Sequence, residues 1–88
     1  MEFYGRIQEI GNVVNGTSPR GSWTKQTVVI ESFDNPFNIL AIDAMNERIA
    51  ELQKFPIGTA VKAVFSANSR KGDNGYFTTL MLRELTKL

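Results

Sequence analysis

The stretch Ile42-Asp43-Ala44-Met45-Asn46-Glu47-Arg48-Ile49-Ala50-Glu51-Leu52 is where the hydrophobic period of the chain changes. Ile42, Met45, Ile49 and Leu52 are spaced three, four and three residues apart, which draws one apolar stripe along a helix. Glu47, Arg48, Glu51 and Lys54 fall on its outer surface, and Asp43 stands where an N-cap is expected. Phe55 followed by Pro56, then Ile57-Gly58, ends the helix.

Strands are expected on both sides of this helix. Phe3 to Val14 alternates loosely, with bends at Gly5 and Gly11. Asn15–Ser22 is dense in turn residues and reads as a loop. Trp23 to Glu31 is a second strand: Gln26, Val28 and Ile30 share one face, while Trp23, Lys25, Thr27, Val29 and Glu31 share the other. Phe33 to Pro36 is a turn, and Phe37 to about Ile42 a third strand. After the helix, strands over Thr59–Ser69 and Tyr76–Leu85 flank the loop Lys71-Gly72-Asp73-Asn74-Gly75, whose Asn-Gly pair is a strong hairpin signal. Three strands, a helix and two strands is the order of a five-stranded Greek-key OB-fold barrel, an all-β class with the helix between strands three and four. Its binding face is the surface of strands two and three, flanked by the loops joining strands one to two and four to five.

The 88 residues make a single domain spanning 1–88, which buries roughly 60–65% of its unfolded surface. Met1-Glu2-Phe3-Tyr4 lacks the basic start and apolar run of a signal peptide, and no stretch is long enough to cross a bilayer; a cytoplasmic protein with no membrane partner is expected. The sequence has no cysteine and no histidine, so disulfides, thiolate catalysis and the commonest metal ligands and general base are excluded. No catalytic residue, metal site or cofactor is expected, and the chain reads as a binding module rather than an enzyme.

The formal charge of +1 conceals a polarised distribution. Residues 10–30 and 52–72 contain no acid but hold Arg20, Lys25, Lys54, Lys62, Arg70 and Lys71, six of the ten basic residues; the remainder has four bases against nine acids. Trp23, Tyr76 and Phe77 lie in or beside these segments. Brought together by the fold, they would form a positive, aromatic-lined groove suited to single-stranded nucleic acid, whose phosphates attract cations and whose bases stack on rings.

Further residues carry a family resemblance. Gly5-Arg6-Ile7, Gly16-Thr17-Ser18 with Trp23 and Gln26 before Val29-Ile30-Glu31, Pro36, Arg48-Ile49, Val61 through Phe65, and Arg70 followed by Tyr76-Phe77 together resemble a family of small bacterial OB-fold proteins. That family is catalogued as a domain of unknown function and is likened to single-stranded-DNA-binding proteins. The resemblance implies the same barrel and single-stranded DNA as partner. Phe37-Asn38 and Met81-Leu82-Arg83 depart from its pattern, each removing charge or aromatic surface.

The candidate nucleic-acid-binding residues are therefore Arg20, Trp23, Lys25, Lys62, Arg70, Lys71 and Tyr76. Trp23 is a base-stacking ring or a cap that holds the long loop. The cations are phosphate contacts, with Arg70 able to clamp a phosphate through two bonds. Tyr76 and Phe77 should point to opposite faces of a strand, one into the core, with Tyr76 outward. Gly16-Thr17-Ser18-Pro19-Arg20-Gly21 lacks the lysine and hydroxyl residue of a nucleotide P-loop. Three or four phosphate contacts give weak binding, so homo-oligomerisation is expected to supply avidity. The ending Thr86-Lys87-Leu88 lacks an acidic partner-recruiting tail, which speaks against a general replication role. The alternative is an OB-fold protein-interaction or structural module, since fold alone does not assign function.

Overall fold

A computed structural model describes residues Met1–Leu88. Its strands are β1 (Glu2–Ile10), β2 (Val14–Ser18), β3 (Gly21–Ser32), β4 (Ile39–Met45), β5 (Ala60–Gly72) and β6 (Gly75–Lys87). Between β4 and β5 lie a 3-10 turn, Asn46–Arg48, and the short helix α1, Ile49–Leu52. Five strands close into a ring in the order β1-β5-β6-β4-β3, sealed by the β1–β3 pairing, while β2 extends the sheet beyond β3. All neighbours are antiparallel except β4 and β6, which run parallel at Asp43 and Met81. The result is the expected all-β, OB-like barrel.

Alternation fixes its interior. Ile7 faces Ile30 across β1 and β3, Val28 faces Ile42 and Ile30 faces Leu40 across β3 and β4, and Phe65 faces Leu82 across β5 and β6. All but Leu40, which packs partly buried against them, belong to a buried core that also contains Ala44, Val61, Ala63 and Leu85. Gln26 takes the inward face with Val28, as expected, and its Nε2 donates to the Gly11 carbonyl at 2.8 Å. At Gly5 the backbone of β3 comes so near that a β-carbon would overlap the Glu31 carbonyl. This close approach lets β1 pair with β3 on one side and β5 on the other.

Three expectations are corrected. The helix expected to follow Asp43 shrinks to Ile49–Leu52, because the strand runs on to Met45 with Leu40, Ile42 and Ala44 in its inward positions. Asp43 is accordingly a strand residue and caps nothing. The expected loop Asn15–Ser22 is a hairpin, with Val14–Ser18 paired to Gly21–Lys25 around Pro19-Arg20. Finally, β5 and β6 pair all the way to Gly72 and Gly75, so they rise beyond the barrel as a two-stranded ribbon. There is no core at that height, and Tyr76 (73% exposed) and Phe77 (59%) are both in solvent, where one had been expected inside. No helix is long and apolar enough to cross a membrane.

Candidate nucleic-acid interface

In the ring β4 lies between β3 and β6, so its outward residues form a floor between theirs. Thr27 stands opposite Asp43, Asp43 opposite Met81, and Met81 opposite Ser66, which makes one outward row across four strands. Next to it Lys25 stands opposite Met45. Above this floor is an open groove of about 440 Å³ lined by Trp23, Lys25, Asp43, Met45, Asn68, Ser69, Arg70, Thr79 and Met81.

The groove brings Trp23, Lys25 and Arg70 together, three of the seven residues singled out in the sequence. Trp23 is half-buried on the outward face of β3, and the Lys25 ammonium is 6.0 Å from the centre of its ring. Arg70 comes from the ribbon, directly opposite Phe77. The Phe77 ring lies against Gly72, where a β-carbon would intrude on it. Phe77 is therefore the ribbon aromatic on the Arg70 side, and Tyr76 faces the other way with Lys71.

The remaining candidates are dispersed. Lys71 lines a second depression at the ribbon tip, together with Arg70, Asp73 and Phe77. Arg20 is exposed in the β2–β3 turn, where its backbone N–H donates to Ser18 Oγ at 3.3 Å. Lys62 stands opposite Tyr4 and Thr86 near the start of β5, eight residues from Arg70. That is about 26 Å along a strand. The acid-free segment 52–72 runs the length of β5, and only its end reaches the groove.

Nor is the groove free of acid. Asp43 comes from neither acid-free segment; it is delivered by β4 and sits 3.9 Å from the Lys25 ammonium through Oδ2. Its Oδ1 accepts a hydrogen bond from Thr27 Oγ1 at 2.6 Å. Within the groove the charges are Lys25 and Arg70 against Asp43. The polar lining is completed by Asn68, Ser69 and Thr79, and the apolar lining by Met45 and Met81. Asp43 could not be found by composition, because its place depends on β4 lying between β3 and β6. No group of three acids that could hold a metal ion occurs.

No curated protein and no solved structure matches the chain. A family model does match, over residues 2–83, and its description is a domain of unknown function, DUF3127. That match spans β1 through most of β6 and takes in every residue of the groove, and the chain belongs to the DUF3127 family.

Proposed function

We propose that the protein binds single-stranded nucleic acid, DNA in the first instance, along the groove between the β2–β3 hairpin and the β5–β6 ribbon. The observation that carries this is the convergence of Trp23, Lys25 and Arg70, from elements far apart in sequence, on one open groove. An indole supplies a stacking surface worth about 1–3 kcal/mol per base. Arg70 contacts phosphate, Lys25 adds positive charge beside the indole, and Phe77 extends the stacking surface along the ribbon. The short list of cations makes a single domain a weak binder, and self-association would raise its avidity.

The test is a titration of Trp23 fluorescence with oligo-dT at low and at moderate salt. Quenching that weakens with salt and is lost in the Lys25→Ala/Arg70→Ala double variant supports the proposal. A flat signal at micromolar protein and low salt rejects it. A second reading, a protein-interaction module, is favoured by a different surface: Phe37 is 93% exposed in the β3–β4 turn, next to exposed Phe33 and Ile39. Loss of a protein partner on Phe37→Ser, with oligonucleotide titrations flat, would select that reading.

A further inference from the structure

Asp43 is out of place in a groove that only tracks phosphates. A carboxylate repels them, and Asn or Ser would fit the same strand position without that cost. Yet it is held firmly. The Thr27 hydroxyl fixes Oδ1 at 2.6 Å, so the carboxylate cannot swing away from the floor. Lys25 Nζ is 3.9 Å from Oδ2, within ion-pair range but too far to occupy that oxygen with a hydrogen bond. With 19% of its side chain accessible, Asp43 offers acceptor capacity to whatever enters.

The chemistry of the four bases decides what that is. Adenine offers its 6-amino group beside the acceptor N1, and cytosine its 4-amino group beside the acceptor N3; each would set a lone pair against the carboxylate. Thymine and uracil offer one N–H between two carbonyls. Guanine alone has two adjacent donors, N1–H and the 2-amino group, followed by an acceptor, O6. The Asp43–Lys25 pair is its complement: carboxylate oxygens for the two donors, and an ammonium beside them for O6. Trp23, next to Lys25, supplies a ring for the same base. Unpaired single strands leave this edge free to be read.

We infer that the groove prefers guanine, recognised on its Watson–Crick edge by Asp43 and Lys25 while Trp23 stacks the ring. The inference rests on the nucleic-acid reading above and gives it a base preference.

The experiment compares oligo-dT with the same oligonucleotide carrying a central dG, dI, dA or dC, bound to wild-type protein and to Asp43→Asn. Wild type should bind the dG strand about tenfold tighter than oligo-dT, a good bidentate contact being the source of such discrimination. The dI strand, which lacks the 2-amino group, should lose most of that gain. Asp43→Asn should abolish the dG preference, so that the dG strand and oligo-dT bind with the same affinity. A merely structural Asp43 would instead weaken every strand alike, and thermal melts of the variant identify any loss of folding. Equal affinity for all five strands, or uniform weakening in Asp43→Asn, overturns the guanine assignment and leaves strand binding standing. No binding of any strand overturns both.

Discussion

The indole of Trp23 packs against Gly16, its cross-strand partner, so closely that a β-carbon at position 16 would overlap the ring at Cζ2 and Cε2. Gly16 is not in a left-handed conformation, so an alanine there has no backbone strain and its whole effect is steric. The absent side chain of β2 is what seats the tryptophan at the edge of the groove. Gly72 seats Phe77 on the other wall in the same way.

Gly16→Ala should therefore displace Trp23 rather than unfold the barrel. The expected loss of stability is about 1–2 kcal/mol, the lower part of the range for overpacking. Trp23 emission should shift to the red as the ring gains solvent, and oligonucleotide quenching should fall with it. An unchanged emission spectrum would show that the ring is not held by Gly16. Gly5→Ala makes the contrast: its β-carbon meets the Glu31 backbone, which cannot rotate aside. Its cost should reach about 3 kcal/mol or more, measured as a drop in the urea midpoint.

The dispersal of the cations predicts an unequal salt response. Each phosphate contact to a single strand contributes about 0.7 to the slope of log affinity against log salt. Arg70→Ala, in the groove, should lower the slope by about that amount. Lys62→Ala, about 26 Å away along β5, should leave it unchanged. Binding isotherms at four or so salt concentrations give both slopes, and equal effects of the two variants would remove the groove from the reading.

Tyr4 supplies a pH probe outside the groove. Its hydroxyl donates to Glu2 Oε2 at 3.0 Å, and that bond, with smaller contributions from desolvation and the carboxylate charge, raises the phenol above its ordinary value of 10.0. A raised folded-state value means that the bond's contribution is present below pH 10 and is lost as the phenol ionises above it. Glu2→Gln should bring the Tyr4 transition back down in an ultraviolet absorbance titration. Superimposable titrations of the variant and wild type would show that Glu2 does not set it.

The element order, and with it the ring, was legible because it depends on local alternation and on turn chemistry, as at the two-residue turn Asp73-Asn74 between Gly72 and Gly75. The helix was over-extended for a specific reason. Ile42, Met45, Ile49 and Leu52 match a helical stripe, but Leu40, Ile42 and Ala44 match a strand equally well, and the partner strands on both sides of β4 decide between them. The hairpin formed by 14–18 with β3 was hidden because Asn15, Gly16 and Pro19 are poor strand formers, and Gly16 is paired where it seats Trp23. Trp23, Lys25 and Arg70 were visible as residue types in acid-free sequence. Asp43 was not, since its neighbours in the groove come from β3 and β6.

The four-residue helix α1 makes the last prediction. A segment that short has no stability of its own, far below the length at which isolated helices form. It persists because Ile49 and Leu52 fill the core between β3, β4 and β6, with Leu52 fully buried. Leu52→Ala removes the larger part of that plug and should cost about 2–5 kcal/mol. For 88 residues this is a large share of a total of about 5–10 kcal/mol. Leu52 lines no part of the groove, so below the melting transition Leu52→Ala should bind oligo-dT with wild-type affinity if the groove is the binding site. A urea midpoint lowered by less than about 1 kcal/mol of equivalent stability would show that the barrel is sealed without α1. A large drop in midpoint with unchanged affinity is the expected result, because folding and binding then draw on separate faces of β4: Ile42 and Ala44 inward, Asp43 and Met45 outward.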